Sequence, residues 1–411
     1  MNGILSVFSS KHDSGFAKKA LLFIPVFFLM FLVLTPINHL DFYTHNKQLL
    51  EFYQTGYWRP NFLYYLILAV FSGFSNSMQL LSVVAAFILA CSIFFKWQIT
   101  DSLSLDFQKY LSDSENLKVI KLFSFLMLFV FSLPASYNNW YFGQVSPNQW
   151  HNSTTILLMP FALLLYHKCY IRIIENDKSV NNSIILLSII NVLIKPSFFF
   201  CIVPVSLLFS FLYWNGWSVF FKKLMLFAPG VILVIIQYLI LFAREWESAG
   251  TLSGDNGGVA INFLHVWSHY SNHVIWSTLL SLAFPIVFIL FNAKKAFTNK
   301  HFLFSASLLV FGLLMFAFLT ETGSRQFHCN FIWQAIVANY IFYWVCLNVF
   351  LKNCFEKYFF KSEKARLINS FLKFYLICNW KDKLVLTMFL LQCLGGFYYL
   401  LRILLRNGSY A

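Results

Sequence analysis

Residues Ala20–Ile37, ALLFIPVFFLMFLVLTPI, follow the basic pair Lys18–Lys19 and carry no charge. A helix that crosses a bilayer needs about 17–25 such residues. No small-residue cleavage pattern follows, so the segment reads as a first transmembrane helix that stays, not a cleaved signal peptide. Working outward, similar runs recur at 61–74, 80–95, 119–135, 153–167, 182–194, 198–214, 224–243, 274–292, 302–320, 331–350 and 384–401. Of the 411 residues, 59% are hydrophobic and 20% aromatic, more apolar surface than a soluble fold of this size can hide. The expectation is an all-α polytopic transmembrane helix bundle of about 11–13 spans. It forms a single integral membrane domain over 1–411, with short loops and small external interfacial helices. No internal repeat or low-complexity tract is visible.

The net charge of +14 does not point to nucleic acid. Lys and Arg lie in short loops between apolar runs, where they orient a membrane protein, and no soluble basic stretch is interleaved with stacking aromatics. Lys168, Arg172 and Lys178 share one loop, Lys222 and Lys223 a second, and Lys294, Lys295 and Lys300 a third. Segment 351–383 adds eight more basic residues. The alternate loops are nearly bare, with none in 136–152 and then Lys195, Arg244 and Arg325 singly. The first set is expected in the cytoplasm, with the N-terminus, and the second outside. Loop 38–60 then lies outside, 244–273 is an external loop or lid, and 351–383 is a basic cytoplasmic loop. One parity problem remains. Loops 38–60 outside and 96–118 inside need an odd number of crossings between them, yet 61–74 and 80–95 look like two. Either one of those runs is re-entrant, or 96–118 lies outside.

The eight cysteines are scattered without a C-x-x-C pair, so neither a zinc site nor a disulfide framework is indicated. Buried small hydrophobes are the expected role. Walker A, G-x-G-x-x-G and G-x-S-x-G patterns are absent from the sequence, so ATP-driven transport and serine hydrolysis have no support.

In a chain only 11% charged, polar clusters stand out. The first, Asn38–Arg59 (NHLDFYTHNKQLLEFYQTGYWR), holds Asp41, His45, Lys47, Glu51 and Arg59. A helix over 38–52 sets Asp41 and His45 on one face. The second, Ser136–Asn152 (SYNNWYFGQVSPNQWHN), has no formal charge but offers Gln144, Asn148, Trp150, His151 and Asn152. Amides bond hydroxyls as both donor and acceptor, and aromatic faces pack on sugar rings. Alternatively it is a belt-aromatic connector with an N-cap at Asn152 or Ser153. Lys195-Pro196 sits between two apolar runs, where a cation is costly and therefore a functional candidate unless it snorkels. Thr320–Trp333 (TETGSRQFHCNFIW) packs Glu321, Arg325 and His328 together. Arg325 suits bidentate phosphate binding, or pairs with Glu321 to hold a turn. His265, His269 and His273 fall at i+4 steps and would line one helix face; partner carboxylates are missing there, so an interfacial helix is expected rather than a metal site.

With its acidic residue just beyond the first span, HLDFYTHNKQLLEFYQTG…RPNFLYY resembles polytopic glycosyltransferases of the GT-C type. The segments GQVSPNQWHNSTT and ETGSRQFHCNFIW are similar to multi-span proteins of bacterial surface-polysaccharide loci. The resemblance implies a catalytic Asp in the first external loop, here Asp41, and a polyprenyl-phosphate-linked sugar donor. It also implies a glycan or lipid-linked acceptor, membrane lipids as surroundings and a bacterial inner-membrane address with the site on the periplasmic side. His45, Arg59, Gln144, Asn148, Trp150, His151, Asn152, Lys195, Glu321, Arg325 and His328 become candidate substrate-binding residues. Phe42 follows Asp41, so the paired acidic motif of some of these families is missing. No cofactor is read from the sequence, and a divalent metal is left open. A polysaccharide polymerase is the nearest alternative, and a lipid-linked oligosaccharide flippase or transporter is the alternative of a different class. The latter predicts mid-span ionisable residues and internal symmetry.

Overall fold

A computed structural model describes residues 15–38, 40–56, 59–108, 114–135, 141, 143–243, 258–358 and 371–405. Secondary structure is almost wholly helical, as the apolar runs demand of a chain that must satisfy its own backbone in lipid. Six helices are long and apolar enough to cross a membrane: α1 (Phe16–Leu34), α4 (Met78–Phe107), α6 (Ser153–Ile174), α14 (Lys300–Phe318), α15 (Trp333–Tyr358) and α17 (Trp380–Leu405). Two bent pairs bring the number to eight: α9 (Trp217–Met225) with α10 (Ala228–Tyr238), at 50°, and α12 (Val274–Ser281) with α13 (Ala283–Thr298), at 69°. The 11–13 spans expected from hydropathy are therefore too many for the described residues. The run at 61–74 makes only the nine-residue α3 (Leu63–Phe71), and 119–135 is part helix α5 (Ser114–Leu126) and part non-helical chain. The runs at 182–194 and 198–214 make α7 (Asn181–Ile194) and α8 (Ser197–Leu212), of 14 and 16 residues. At 1.5 Å per residue these reach about 21–24 Å, short of a hydrocarbon core of about 30 Å.

The crossing problem has a geometric answer. Lys19 Nζ lies 3.6 Å from Asp101 Oδ2, and Thr35 Oγ1 donates to Ser82 O at 3.0 Å. Helices α1 and α4 therefore run antiparallel along their whole length, with Asp101 beside the start of the chain's first span. Helix α4 makes the one crossing between loop 38–60 and segment 96–118, and α3 makes none. The same helix corrects a boundary, because Lys96 to Phe107 belong to α4 instead of opening a loop.

Helix α15 is the central pole, with an 18-residue window that is 100% buried. Beside it, the chain after α5 enters the bundle as a turn at 127–129 and then without regular structure. Such a backbone needs partners inside. Gln392 O accepts from Phe131 N, Leu280 O accepts from Leu133 N, Ser281 Oγ accepts from Val145 N, and Asn339 Nδ2 donates to Val145 O at 2.6 Å. Gly396 makes room: a Cβ there would sit 1.7 Å from Phe129 O.

At the end of the bundle where α1 finishes, α2 (Asp41–Thr55) packs across the tops of the spans through Phe42, Asn46 and Leu49. Strand β1 (Val259–Ile261) pairs antiparallel with β2 (Leu319–Glu321), so the described part of the 244–273 loop is pinned rather than loose. Trp267 Nε1 adds a bond to Gly143 O at 2.8 Å; residues 244–257 lie outside the described set. Of the three histidines of this loop, two share a face: His265 and His269 lie one turn apart on α11 (His265–Tyr270) and both pack on Phe327, at 5.5 and 4.1 Å. His273 lies past the end of α11, at the start of α12, so the expected row of three is broken. All eight cysteines are free thiols, six of them buried.

Candidate functional site

Helix α2 begins at Asp41, after Leu40 in extended conformation, where a carboxylate complements the helix's positive end. His45 follows one turn later on the same face. From the other side comes Asn152, the N-cap of α6. Its Oδ1 accepts from Thr155 N at 2.9 Å, and its Nδ2 donates to Asp41 Oδ2 at 2.6 Å. Lys195, extended at φ −167° and followed by Pro196, stops α7 and brings its ammonium to the same amide. Lys195 Nζ donates to Thr155 Oγ1 at 3.0 Å, Asn152 Oδ1 at 3.3 Å and Thr154 Oγ1 at 3.4 Å, and lies 3.8 Å from the Trp333 ring centroid. One asparagine thus links a carboxylate to a lysine.

Around this axis, His45 Nδ1 bonds Ser153 Oγ, and the imidazole sits between the Tyr64 and Tyr65 rings at 5.9 and 6.0 Å. His151 Nδ1 bonds Tyr399 Oη at 3.2 Å, and its ring lies 6.0 Å from Trp333. Asp41, His45, His151 and Lys195 are half-buried. Burial pushes both imidazoles down to about 4, so they are neutral at physiological pH. Burial also pushes Lys195 down, to about 7, against the pull of Asp41. For Asp41, burial alone would raise the pKa, but the neighbouring His151 and His45, the Asn152 hydrogen bond and Lys195 together bring it below the usual value.

Of the residues singled out in the sequence, Asp41, His45, His151, Asn152 and Lys195 come together. Arg59 sits half-buried beside them, its charge acting on His45 and on His328. Glu321 and Arg325 form their own pair, at 3.1 Å, with Asn330 Nδ2 donating to Glu321 Oε2 at 2.6 Å. Arg325 is thus committed to a local carboxylate that holds the 319–330 turn. Gln144, Asn148 and Trp150 do not form an open amide–aromatic surface. Gln144 donates to Leu133 O, Asn148 donates to Met127 O and Val130 O, and Trp150 packs between Phe31 and Phe129, all three buried. The non-helical chain inside the bundle uses Gln144 and Asn148 to satisfy its own carbonyls, while Trp150 fills space between rings. Trp333 and Tyr399, which line the site, carried no sequence signal beyond that of belt or core aromatics. Among the described residues no group of three His, Cys, Asp or Glu is placed to hold a metal.

No protein-family model, curated protein or solved structure matches this chain.

Proposed function

We propose that the chain is an integral membrane glycosyltransferase that moves a sugar from a polyprenyl-phosphate-linked donor to a hydroxyl of a glycan or lipid-linked acceptor, in cell-envelope polysaccharide assembly. The observation that carries the reading is the placement of Asp41 and Lys195 on the two sides of Asn152. Asp41, ionised, takes the proton of the acceptor hydroxyl as its oxygen bonds to the anomeric carbon. The bond from that carbon to the phosphate oxygen breaks with inversion, and the electron pair leaves on the lipid phosphate. Lys195 and the Thr155 hydroxyl, which accepts from Lys195 and keeps its own proton to give, donate hydrogen bonds to that developing charge, where preorganised donors act most strongly. The half-buried Trp333 and His151 offer a ring face and an imidazole to the sugar, with Tyr399 behind His151 holding its Nδ1.

The loop charges support a cytoplasmic N-terminus and a site on the periplasmic side of the inner membrane. The test is the lipid-linked glycan profile of cells that carry the wild-type gene, lack it, or carry Asp41→Asn. A sugar missing from the glycan in both the deletion and the variant supports the transferase. Accumulated single repeat units would indicate a polymerase, and repeats trapped in the cytoplasm a flippase.

A further inference from the structure

Arg59 stands beside the Asp41 site with no part in the transfer step above. It opens a short strap, Arg59–Asn61, that hydrogen bonds tie to the end of α7 and to α10. Gln237 Nε2 of α10 donates to Pro60 O at 3.0 Å and to Val192 O at 3.1 Å, and Asn61 Nδ2 donates to Ile194 O at 3.4 Å. Val192 and Ile194 belong to the last turn of α7, and Lys195 follows directly. The chain segments that carry Arg59 and Lys195 are therefore held against each other at one edge of the site.

The two cations differ in what they already hold. Lys195 Nζ is hydrogen-bonded to Thr155, Asn152 and Thr154. Arg59 is half-buried, and among the described residues its guanidinium makes no hydrogen bond and no ion pair. A guanidinium carries five N–H donors in a fork that matches phosphate oxygens, and leaving such donors unmet in a partly desolvated place is costly. The charges also lie at different depths. Both act on His45, only that of Lys195 acts on His151, and only that of Arg59 acts on the exposed His328. Lys195 is thus the inner cation, by Asp41, and Arg59 the outer one, toward the 319–330 turn. On the outer side α10 presents exposed Ile232, Ile235 and Ile236 within two turns of Gln237.

We propose, on the footing of the transferase reading, that the donor's sugar is joined to its lipid through a diphosphate, with Lys195 on the phosphate that bears the sugar and Arg59 on the one that bears the prenyl chain. As the acceptor oxygen bonds to the anomeric carbon, its proton passes to Asp41. The bond from that carbon to the first phosphate oxygen breaks, and prenyl diphosphate leaves with the electron pair. A single phosphate on Lys195 leaves the outer guanidinium unmet. Two phosphates in series meet both cations and bring the prenyl chain out beside the apolar face of α10.

The experiment titrates the full-length protein, in phosphatidylcholine nanodiscs, with farnesyl diphosphate and farnesyl monophosphate, followed by thermophoresis. At pH 6.5 Lys195 keeps its charge, which it loses at about 7. The diphosphate should bind about tenfold more tightly or better. Arg59→Gln should bring the two lipids within about twofold of each other, and Arg59→Lys should restore only part of the difference, because an ammonium lacks the fork. Lys195→Met should weaken both. If Arg59→Gln does not fold, the wild-type ratio and Arg59→Lys carry the test. Phosphatidylglycerol nanodiscs separate the donor from the bilayer as the source of phosphate, and the ratio should persist there. Equal affinities in the wild type, a preference that survives Arg59→Gln, or one that phosphatidylglycerol abolishes would overturn the diphosphate assignment and leave the transferase standing. Binding of neither lipid would overturn both.

Discussion

Replacing Asn152 by Asp perturbs the site while sparing the fold, because Asp caps a helix as well as Asn does. The wild-type amide donates to Asp41 Oδ2 at 2.6 Å. In the variant that donor becomes a second carboxylate, and two carboxylates so close cannot both ionise. At ~4 Å and an effective dielectric of ~20, two unit charges repel by ~4 kcal/mol, or about 3 pK units. Lys195, 3.3 Å from the same position, offsets part of this. We expect the pair to retain one proton well above the pH where wild-type Asp41 ionises, with a net shift of about 2 units. In washed membranes, initial rates of sugar transfer to lipid-linked acceptor would be measured at pH 4.5 and 6.0, both below the value of about 7 at which Lys195 loses its charge. The wild type should change little, with Asp41 ionised and Lys195 charged at both. The variant should lose up to about tenfold more rate at 4.5 than at 6.0. An equal ratio of rates in the two proteins would refute the claim that Asn152 controls the ionisation of a catalytic Asp41.

Lys195 has its pKa pushed down to about 7, so its charge is fully present below that pH and lost above it. Wild-type transfer should therefore fall as pH rises through about 7, and Lys195→Arg, charged throughout, should lack that alkaline limb in a pH–rate profile. Lys195→Met should cost about 10²–10³ in rate at pH 6.5, read in the same assay, as expected for removing a preorganised donor. Gly396→Ala places a methyl 1.7 Å from Phe129 O, so it should lower the melting temperature in detergent sharply or prevent assembly. A melting curve like that of wild type would mean that the chain at 129–132 does not press on α17.

The membrane class was legible because an uncharged apolar run as long as Ala20–Ile37 matches the thickness of a bilayer, and such runs recur to the end of the chain. The number of spans was not. Hydropathy counts apolar residues but cannot tell a helix from the turn and irregular chain at 127–135, nor a full crossing from the 14 residues of α7. Asp41, His45, His151, Asn152 and Lys195 were legible for a physical reason: a charge or amide at the edge of an apolar run needs a partner, and here they are one another's partners. Composition alone could not say which way Gln144, Asn148 and Trp150 face. The non-helical chain had carbonyls to satisfy, and the burial of Gln144 and Asn148 follows from it. Tyr399 and Lys96 were hidden in long runs whose helices could be guessed but whose facing neighbours could not.

The central claim is that Asp41 removes a proton from the acceptor, and it is tested most directly by Asp41→Asn in purified, folded protein supplied with lipid-linked donor and acceptor. The substitution keeps the shape and removes the base. The account predicts a loss of about 10²–10⁴ in transfer rate with an unchanged melting temperature. Transfer at the wild-type rate would contradict it.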